Sequence, residues 1–180
     1  MKKLTFLFIL ISGFLFSQEF KITPENYKNK NDETKNFVVL EFENKTKDEL
    51  FKKVKSYIIS NYKGIKNDGY NEIENEQIVL DVESRNTATI MFIMSGSNIW
   101  AISNRYEINF KDNKIMIKPS FKNLTNGVDE ISLNNGNFMI KSIFNKKGEP
   151  SKEKSIDFIN SEANKFVLDI KSAISADSEW

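Results

Sequence analysis

Strict alternation of side chains over residues 99–111 is the feature that most constrains the fold. The even positions are mostly apolar and the odd positions from Ser103 onward are polar: Trp100, Ile102, Asn104, Tyr106, Ile108 and Phe110 against Ser103, Arg105, Glu107, Asn109 and Lys111. Because successive side chains of a strand point to opposite faces, the pattern predicts an antiparallel strand with one buried and one solvated face.

The residues that follow predict the partner of this strand. Asp112-Asn113 is typical of a two-residue hairpin turn, because both residues tolerate positive φ. Such a turn pairs Ile108 with Ile117 on the inner face and Glu107 with Lys118 on the outer face. Apolarity and charge match at the same time, which favours this register.

Upstream residues extend the pattern to four strands. A turn at Arg85-Asn86 and a loop over 95–98 would place Leu80, Met91 and Ile102 on one face. We therefore predict a four-stranded meander with strands at 78–84, 87–94, 99–111 and 114–124. A nearly continuous apolar strand at 37–42 precedes it.

Two helices flank the predicted meander. The first begins at the capping box Thr46-Lys47-Asp48-Glu49, and Gly64 supplies its stop. Its apolar residues at helical spacing are Leu50, Phe51, Val54, Tyr57, Ile58 and Tyr62. Pro150-Ser151 opens the second helix. The apolar side of that helix carries Ile156, Ile159, Ala163, Phe166, Val167, Ile170 and Ile174.

The N-terminus predicts export. Lys2 and Lys3 precede an apolar run over 4–16 that ends at Ser17, the pattern of a signal peptide over residues 1–17. The run is shorter than the roughly 20 residues of a membrane-spanning helix, so we expect no stable span after signal removal and a periplasmic or secreted protein. Residues 18–36 are rich in Lys, Asn, Glu and Asp and are predicted to be a loosely ordered leader. A single domain over 37–176 and a tail over 177–180 complete the chain.

Composition excludes several classes of function. The chain has no cysteine and no histidine, so it cannot build a thiolate nucleophile, a Ser-His-Asp triad or the common transition-metal sites alone. Its formal net charge of +1 lacks the basic footprint of a nucleic-acid-binding protein. We therefore predict no cofactor and no nucleic-acid partner.

The order of strand, helix, four strands and helix resembles a known family. The chain is similar to exported bacterial proteins classed as domain of unknown function 4468 in its signal peptide, in the start of its first helix and in one hairpin. The helix start is Thr46-Lys47-Asp48-Glu49-Leu50-Phe51, and the hairpin is Tyr106-Glu107-Ile108-Asn109-Phe110-Lys111-Asp112-Asn113-Lys114. The resemblance covers 37–124 and the closing helix. It implies an α+β fold of order β-α-β(4)-α, a curved antiparallel five-stranded sheet packed against two helices, like one repeat of the TATA-binding protein. The family has no assigned activity to carry over.

No group of residues predicts catalysis or metal binding. The tetrads that begin at Ser60 and Ser151 place Lys63 and Lys154 one helical turn away, where a lysine can act as a general base. Both tetrads lack companion motifs and are interpreted as a helix end and a helix start. The acidic clusters lack the spacing of a calcium loop and are interpreted as solvated surface: Glu72, Glu74 and Glu76, and Asp129 and Glu130. The only two arginines, Arg85 and Arg105, fall at opposite ends of the predicted sheet.

Two apolar groups are candidates for binding. On the outer sheet face, Val79, Ile90, Phe92 and Ala101 form a candidate interaction patch. The other interpretation is that a cover made of Phe138, Ile140, Ile143 and Phe144 buries this patch. Between the sheet and the final helix, the candidate ligand-facing aromatics are Trp100, Tyr106 and Phe166.

These observations favour a non-enzymatic binding or accessory domain of the bacterial cell envelope, whose partner is an unidentified envelope protein. A carrier of a small apolar ligand, held between the sheet and the C-terminal helix, is the alternative. A hydrolase based on serine-lysine or carboxylate chemistry is the third hypothesis.

Overall fold

A computed structural model of the chain describes residues 19–62, 69–86, 100–126, 130–134, 142–151 and 153–176. In these residues a pair of strands comes first, a strand and a helix follow, and five strands and a long helix complete the order. The elements are β1 (Phe20–Thr23), β2 (Asn26–Asn29), β3 (Val38–Glu41), α1 (Lys47–Asn61), β4 (Tyr70–Ile73), β5 (Gln77–Asn86), β6 (Trp100–Lys111), β7 (Lys114–Thr125), β8 (Glu130–Ile131) and α2 (Glu153–Ser175).

The main sheet is antiparallel and has the strand order β3-β7-β6-β5-β4, with β8 paired to the end of β7. Both helices pack on one face of it. The Phe51 ring of α1 lies 5.3 Å from the Phe110 ring, and the Phe166 ring of α2 lies 3.7 Å from the Tyr106 ring. An α+β fold with an antiparallel sheet packed against two helices, as predicted, is therefore confirmed.

The predicted hairpin between β6 and β7 is also confirmed. Ile108 pairs with Ile117, and Glu107 pairs with Lys118. Asn113 has a φ of 64°, the positive value that the turn requires. The register shifts once, at a bulge between Ser103 and Asn104.

The predicted meander is wrong in one respect. β5 pairs directly with β6 along its whole length, so no strand lies between them and the predicted insertion of residues 87–94 there is excluded. Arg85 and Asn86, predicted to form a turn, are the last residues of β5 and pair with β6. Alternation shows which face a residue occupies but not which strand lies beside it. Residues 87–99 lie outside the described residues.

The strand β4 was not predicted, and it pairs with β5 from Tyr70 to Ile73. Among the described residues the main path therefore has five strands, the predicted number, but β4 is one of them. The strand was missed because β4 has only four residues, and two of them, Asn71 and Glu72, are of types that are depleted in strands.

The prediction of a loosely ordered leader over 18–36 is wrong. β1 and β2 form a two-stranded sheet, which we call the N-terminal hairpin, and its Phe20, Ile22 and Tyr27 side chains are buried in the main core. The folded domain therefore includes residues from Phe20 onward, not only from 37.

Both helices pack much as predicted, but α2 begins at Glu153 and not at the predicted Pro150-Ser151, where Pro150 instead forms a bridge to Phe144. In α1, Thr46 accepts from the Glu49 N–H and the Glu49 carboxylate accepts from the Thr46 N–H, which completes the capping box. In α2 the predicted apolar stripe is buried from Ile159 to Ile174, and Phe158 joins it. Among the described residues, neither helix is long and apolar enough to cross a membrane.

Candidate functional site

The space between the sheet and α2 is filled where a ligand was predicted. The Tyr106 and Phe166 rings stack with their centroids 3.7 Å apart and their planes inclined by 15°. Trp100, Tyr106 and Phe166 are all buried. All three aromatic side chains are core residues, and the direct contact between two of them counts against the carrier hypothesis.

A small polar network lies inside this core. The Tyr27 hydroxyl donates to Asn104 Oδ1 over 3.1 Å and lies 3.2 Å from the Ile159 carbonyl oxygen. Asn104 Nδ2 donates to the Tyr106 hydroxyl over 3.4 Å. Burial raises the pKa of Tyr27 and of Tyr106, so both phenols stay neutral at physiological pH. The network joins the N-terminal hairpin, the sheet and α2, and it has the features of a structural contact.

Side-chain amides attach the N-terminal hairpin to α2. Asn164 Oδ1 accepts from the Phe20 N–H over 2.7 Å, and Asn164 Nδ2 donates to the Phe20 carbonyl over 3.1 Å. Asn160 Oδ1 accepts from the Ile22 N–H over 2.7 Å. The two asparagines therefore bond the backbone of β1 as a neighbouring strand would.

A third asparagine attaches the hairpin to the main sheet. Asn26 Oδ1 accepts from the Phe121 N–H over 2.9 Å, and Asn26 Nδ2 donates to the Phe121 carbonyl over 3.2 Å. Asn26 has a φ of 98°, as the turn between β1 and β2 requires.

The face of the main sheet opposite the helices, which we call the outer face, carries charged side chains. Arg105 forms two hydrogen bonds to the Asp81 carboxylate, of 2.8 and 3.0 Å, and Lys122 Nζ lies 2.9 Å from the same carboxylate. The hydrogen bond from Arg105 lowers the pKa of Asp81. Glu107 and Lys118 form a second pair on this face at 3.2 Å. The Arg105 side chain is 45% exposed and therefore reaches solvent from the outer face, whereas the Asp81 side chain is 19% exposed.

The candidate interaction patch is only partly described. Val79 pairs with Glu107, and Ala101 lies six residues before Glu107 on β6, so the two patch residues share the outer face roughly 20 Å apart. Ile90 and Phe92 lie outside the described residues. The patch therefore stays a prediction.

The structure describes two of the four residues that were predicted to cover the outer face. Ile143 and Phe144 are buried in the same core cluster as the inner-face residues, whereas Ala101 is not a member of that cluster. Phe138 and Ile140 lie outside the described residues. The two described members therefore stabilise the core.

The turn between β6 and β7 is fixed to the start of α1. Asp112 Oδ1 accepts from the Lys47 N–H over 2.8 Å. The Asn113 carbonyl accepts from the Phe42 N–H over 2.7 Å, and the Asn113 N–H donates to the Lys45 carbonyl over 2.8 Å. The two segments on which the family resemblance rests therefore contact each other.

Shallow depressions lie on either side of this turn. The larger has a volume of about 630 Å³ and the smaller about 460 Å³. The larger is lined by Lys47, Ile73, Glu76, Gln77, Asn109, Phe110, Lys111 and Asp112. The carboxylate of Asp112 already accepts a hydrogen bond from α1, and no charged residue of this lining is buried. Neither depression therefore identifies a class of ligand.

The remaining predicted positions form no site among the residues that the structure describes. Ser60 and Ser151 are exposed; Lys63 and the side chain of Lys154 lie outside the described residues, as does Asp129. Glu72 pairs with Lys55 and accepts from the Tyr70 hydroxyl. Across the described part of the chain, no three acidic side chains are grouped as metal ligands.

Comparison with known proteins confirms the fold. No family model and no curated protein matches the sequence. Among solved structures, the chain is similar to a DUF4468 family protein from Bacteroides ovatus, with a TM-score of 0.55 and 10% identity over 80% of this chain and 87% of that one. The two proteins share a fold. A TBP-like protein from Parabacteroides distasonis matches with a TM-score of 0.47 and 19% identity, over 78% of this chain and 92% of that one. At these identities the likeness concerns the fold and not the function.

Proposed function

We propose that this chain is an exported, non-enzymatic binding or accessory domain of the bacterial cell envelope, and that it binds its partner through the outer face of its sheet. One observation carries the proposal. The two helices pack on the inner face, while the outer face presents charged side chains to solvent, with Arg105 and Lys122 each 45% exposed. Sheet faces of this kind suit recognition of a protein surface by complementary charge.

The chemistry of the described polar groups supports a binding role over catalysis. Tyr27 and Tyr106 are buried phenols with a raised pKa, so neither acts as a base near neutral pH. Asp81 is held by Arg105 and Lys122, and its lowered pKa keeps it ionised. A carboxylate in that state is a poor general acid.

The test uses a variant that keeps the ion pair but inverts its charges. In Asp81→Arg/Arg105→Asp/Lys122→Glu the three side chains can still pair, while the pattern seen by a partner is reversed. The purified wild-type domain, immobilised and exposed to envelope extracts, should retain a specific protein that the swapped variant does not retain. The control is Lys165→Glu, which changes an exposed charge on α2. Equal retention by all three proteins, or repeated absence of a specific partner with a folded sample, would contradict the proposal.

A further inference from the structure

β4 lies at one edge of the main sheet. β5 pairs with it from Tyr70 to Ile73, and no other strand of the described residues lies beside it. An edge strand carries backbone N–H and C=O groups that point away from its sheet and can pair with another strand. Bulges, prolines and lysines block such pairing in many proteins, but β4 contains no proline or lysine and its register with β5 has no bulge. Its backbone can therefore accept a further strand.

Exposed apolar side chains lie on both sides of this edge. Ile73 is 55% exposed and lies on the outer face, and Ile59 of α1 is 62% exposed. Ile59 lies on the helical side of the sheet near β4, because Lys55, one turn before it on the same side of α1, is 2.6 Å from the carboxylate of Glu72. The side chains of a strand alternate between faces, so a strand added to β4 would bring one set towards Ile59 and the other towards Ile73.

The charge of this edge selects the kind of partner. Glu74 and Glu76, in the turn after β4, are both exposed, whereas Glu72 is already paired with Lys55. Residues 70–77 contain three glutamates and no lysine or arginine, so two copies of the edge would offer each other no opposite charge. Cross-strand pairs of opposite charge are stabilising, and pairs of like charge are destabilising. A segment of another protein that carries a basic residue therefore fits this edge better than a second copy of the chain.

We propose that β4 binds an extended segment of a partner protein, which adds to the main sheet as a further strand. The segment carries alternate apolar side chains and a lysine or arginine that lies beside Glu74 or Glu76. Backbone hydrogen bonds supply the affinity in this mode of recognition, and the side chains beside the edge supply the specificity. The binding edge is separate from the outer-face group of Asp81, Arg105 and Lys122, so this proposal and the proposed function can fail independently.

The test selects binders for the purified protein from a displayed library of random seven-residue peptides. The most enriched peptide is synthesised, and its Kd is measured by fluorescence polarisation. We expect alternate apolar residues with at least one lysine or arginine, and we expect its binding to shift the backbone amide NMR signals of residues 70–73. Methylation of one alternate set of its backbone nitrogens should abolish binding, because that set faces β4. Enrichment of no peptide by the folded protein, or unchanged binding after methylation of either set, would overturn the proposal.

Matched variants locate the binding surface. Ile59→Lys and Ile73→Lys each replace an apolar contact by a charge that repels a basic peptide, so each should raise the Kd by about tenfold or more. The control is Leu168→Lys on α2, which changes another exposed apolar side chain, 58% exposed, and should leave the Kd unchanged. All three side chains are exposed, so the variants should fold, which circular dichroism checks. An equal Kd for Ile73→Lys and Leu168→Lys would refute the proposed edge.

Two further variants test the charge and separate this proposal from the proposed function. Glu74→Lys/Glu76→Lys should weaken binding of the selected peptide, whereas Glu25→Lys in the N-terminal hairpin, whose side chain is 78% exposed, should not. The variant with inverted charges at Asp81, Arg105 and Lys122 should keep the wild-type Kd. Loss of peptide binding in that variant would show that the peptide binds the outer-face charges and would also overturn the proposal.

Discussion

Replacement of Tyr27 by alanine should destabilise the whole domain, because the N-terminal hairpin is part of its core. Tyr27 is 1% exposed, and its ring lies 6.1 Å from that of Phe20. Loss of a large buried aromatic side chain costs about 3–5 kcal/mol. The change also leaves Asn104 Oδ1 without the Tyr27 hydroxyl, at a cost of about 1–3 kcal/mol. The sum is comparable to the total stability of a small domain, about 5–15 kcal/mol.

A second substitution separates the two contributions. Tyr27→Phe keeps the ring but removes the hydroxyl that donates to Asn104, so we expect a loss of about 1–3 kcal/mol. Combining it with Asn104→Leu removes both polar groups of the pair, and the loss should then be smaller than the sum of the two single losses. The double-mutant cycle therefore measures the coupling between the hairpin and the sheet.

Urea unfolding followed by far-ultraviolet circular dichroism measures these free energies. The control is Glu25→Ala in the turn of the hairpin, whose side chain is 78% exposed and which should change the free energy of unfolding by less than about 0.5 kcal/mol. A loss below about 1 kcal/mol for Tyr27→Ala would refute the reasoning, because it would mean that the hairpin contributes little to the core.

Three further predictions concern ionisation and capping. Burial raises the pKa of Tyr27 and Tyr106, so above pH 10 only the unfolded chain ionises these two groups. Together they should lower the free energy of unfolding by about 2.7 kcal/mol per pH unit there, and the raised pKa values of Tyr57, Tyr62 and Tyr70 add to this fall. A flat profile in urea titrations would contradict the burial. The lowered pKa of Asp81 stabilises the fold above pH of about 4, and this contribution is lost as the pH falls. Plots of the free energy of unfolding against pH for wild type and Asp81→Asn should therefore converge in acid. Parallel plots would exclude a role for the ion pair. Thr46→Ala should cost about 0.5–2 kcal/mol in thermal unfolding, and an unchanged melting temperature would show that the cap contributes nothing.

The elements that were predicted best are those that depend on residues close together in the chain. The capping box, the stripe of α2 and the hairpin of β6 and β7 each depend on residues close together in the chain, and each is present in the structure. In the hairpin, Ile108 opposite Ile117 and Glu107 opposite Lys118 agree with the same register, so two independent signals support it.

Prediction failed where the partner of an element is distant in sequence. The inner face of β5 is apolar at Ile78, Leu80 and Val82, and such a face matches any strand of the same alternation. The direct pairing of Leu80 with Tyr106 depends on which strand is adjacent, and alternation carries no information on that. The candidate ligand-facing aromatics failed for a related reason, since the contact between Tyr106 and Phe166 joins two elements far apart in the chain.

The N-terminal hairpin was missed because its stabilising partners lie far along the chain, in the main sheet and on the last helix, yet the partners on the helix do leave a signal. Asparagine has a poor helix propensity, and Asn160 and Asn164 occupy interior positions of α2 four residues apart, so they share one side of the helix. They stand next to Ile159 and Ala163, which are fully buried. Two uncharged amides that weaken a helix at the border of its buried stripe indicate that backbone groups from another segment are bound there. A polar segment with a few aromatic residues, such as 19–36, can be ordered when a distant helix supplies such amides. The composition of the segment alone does not reveal those amides.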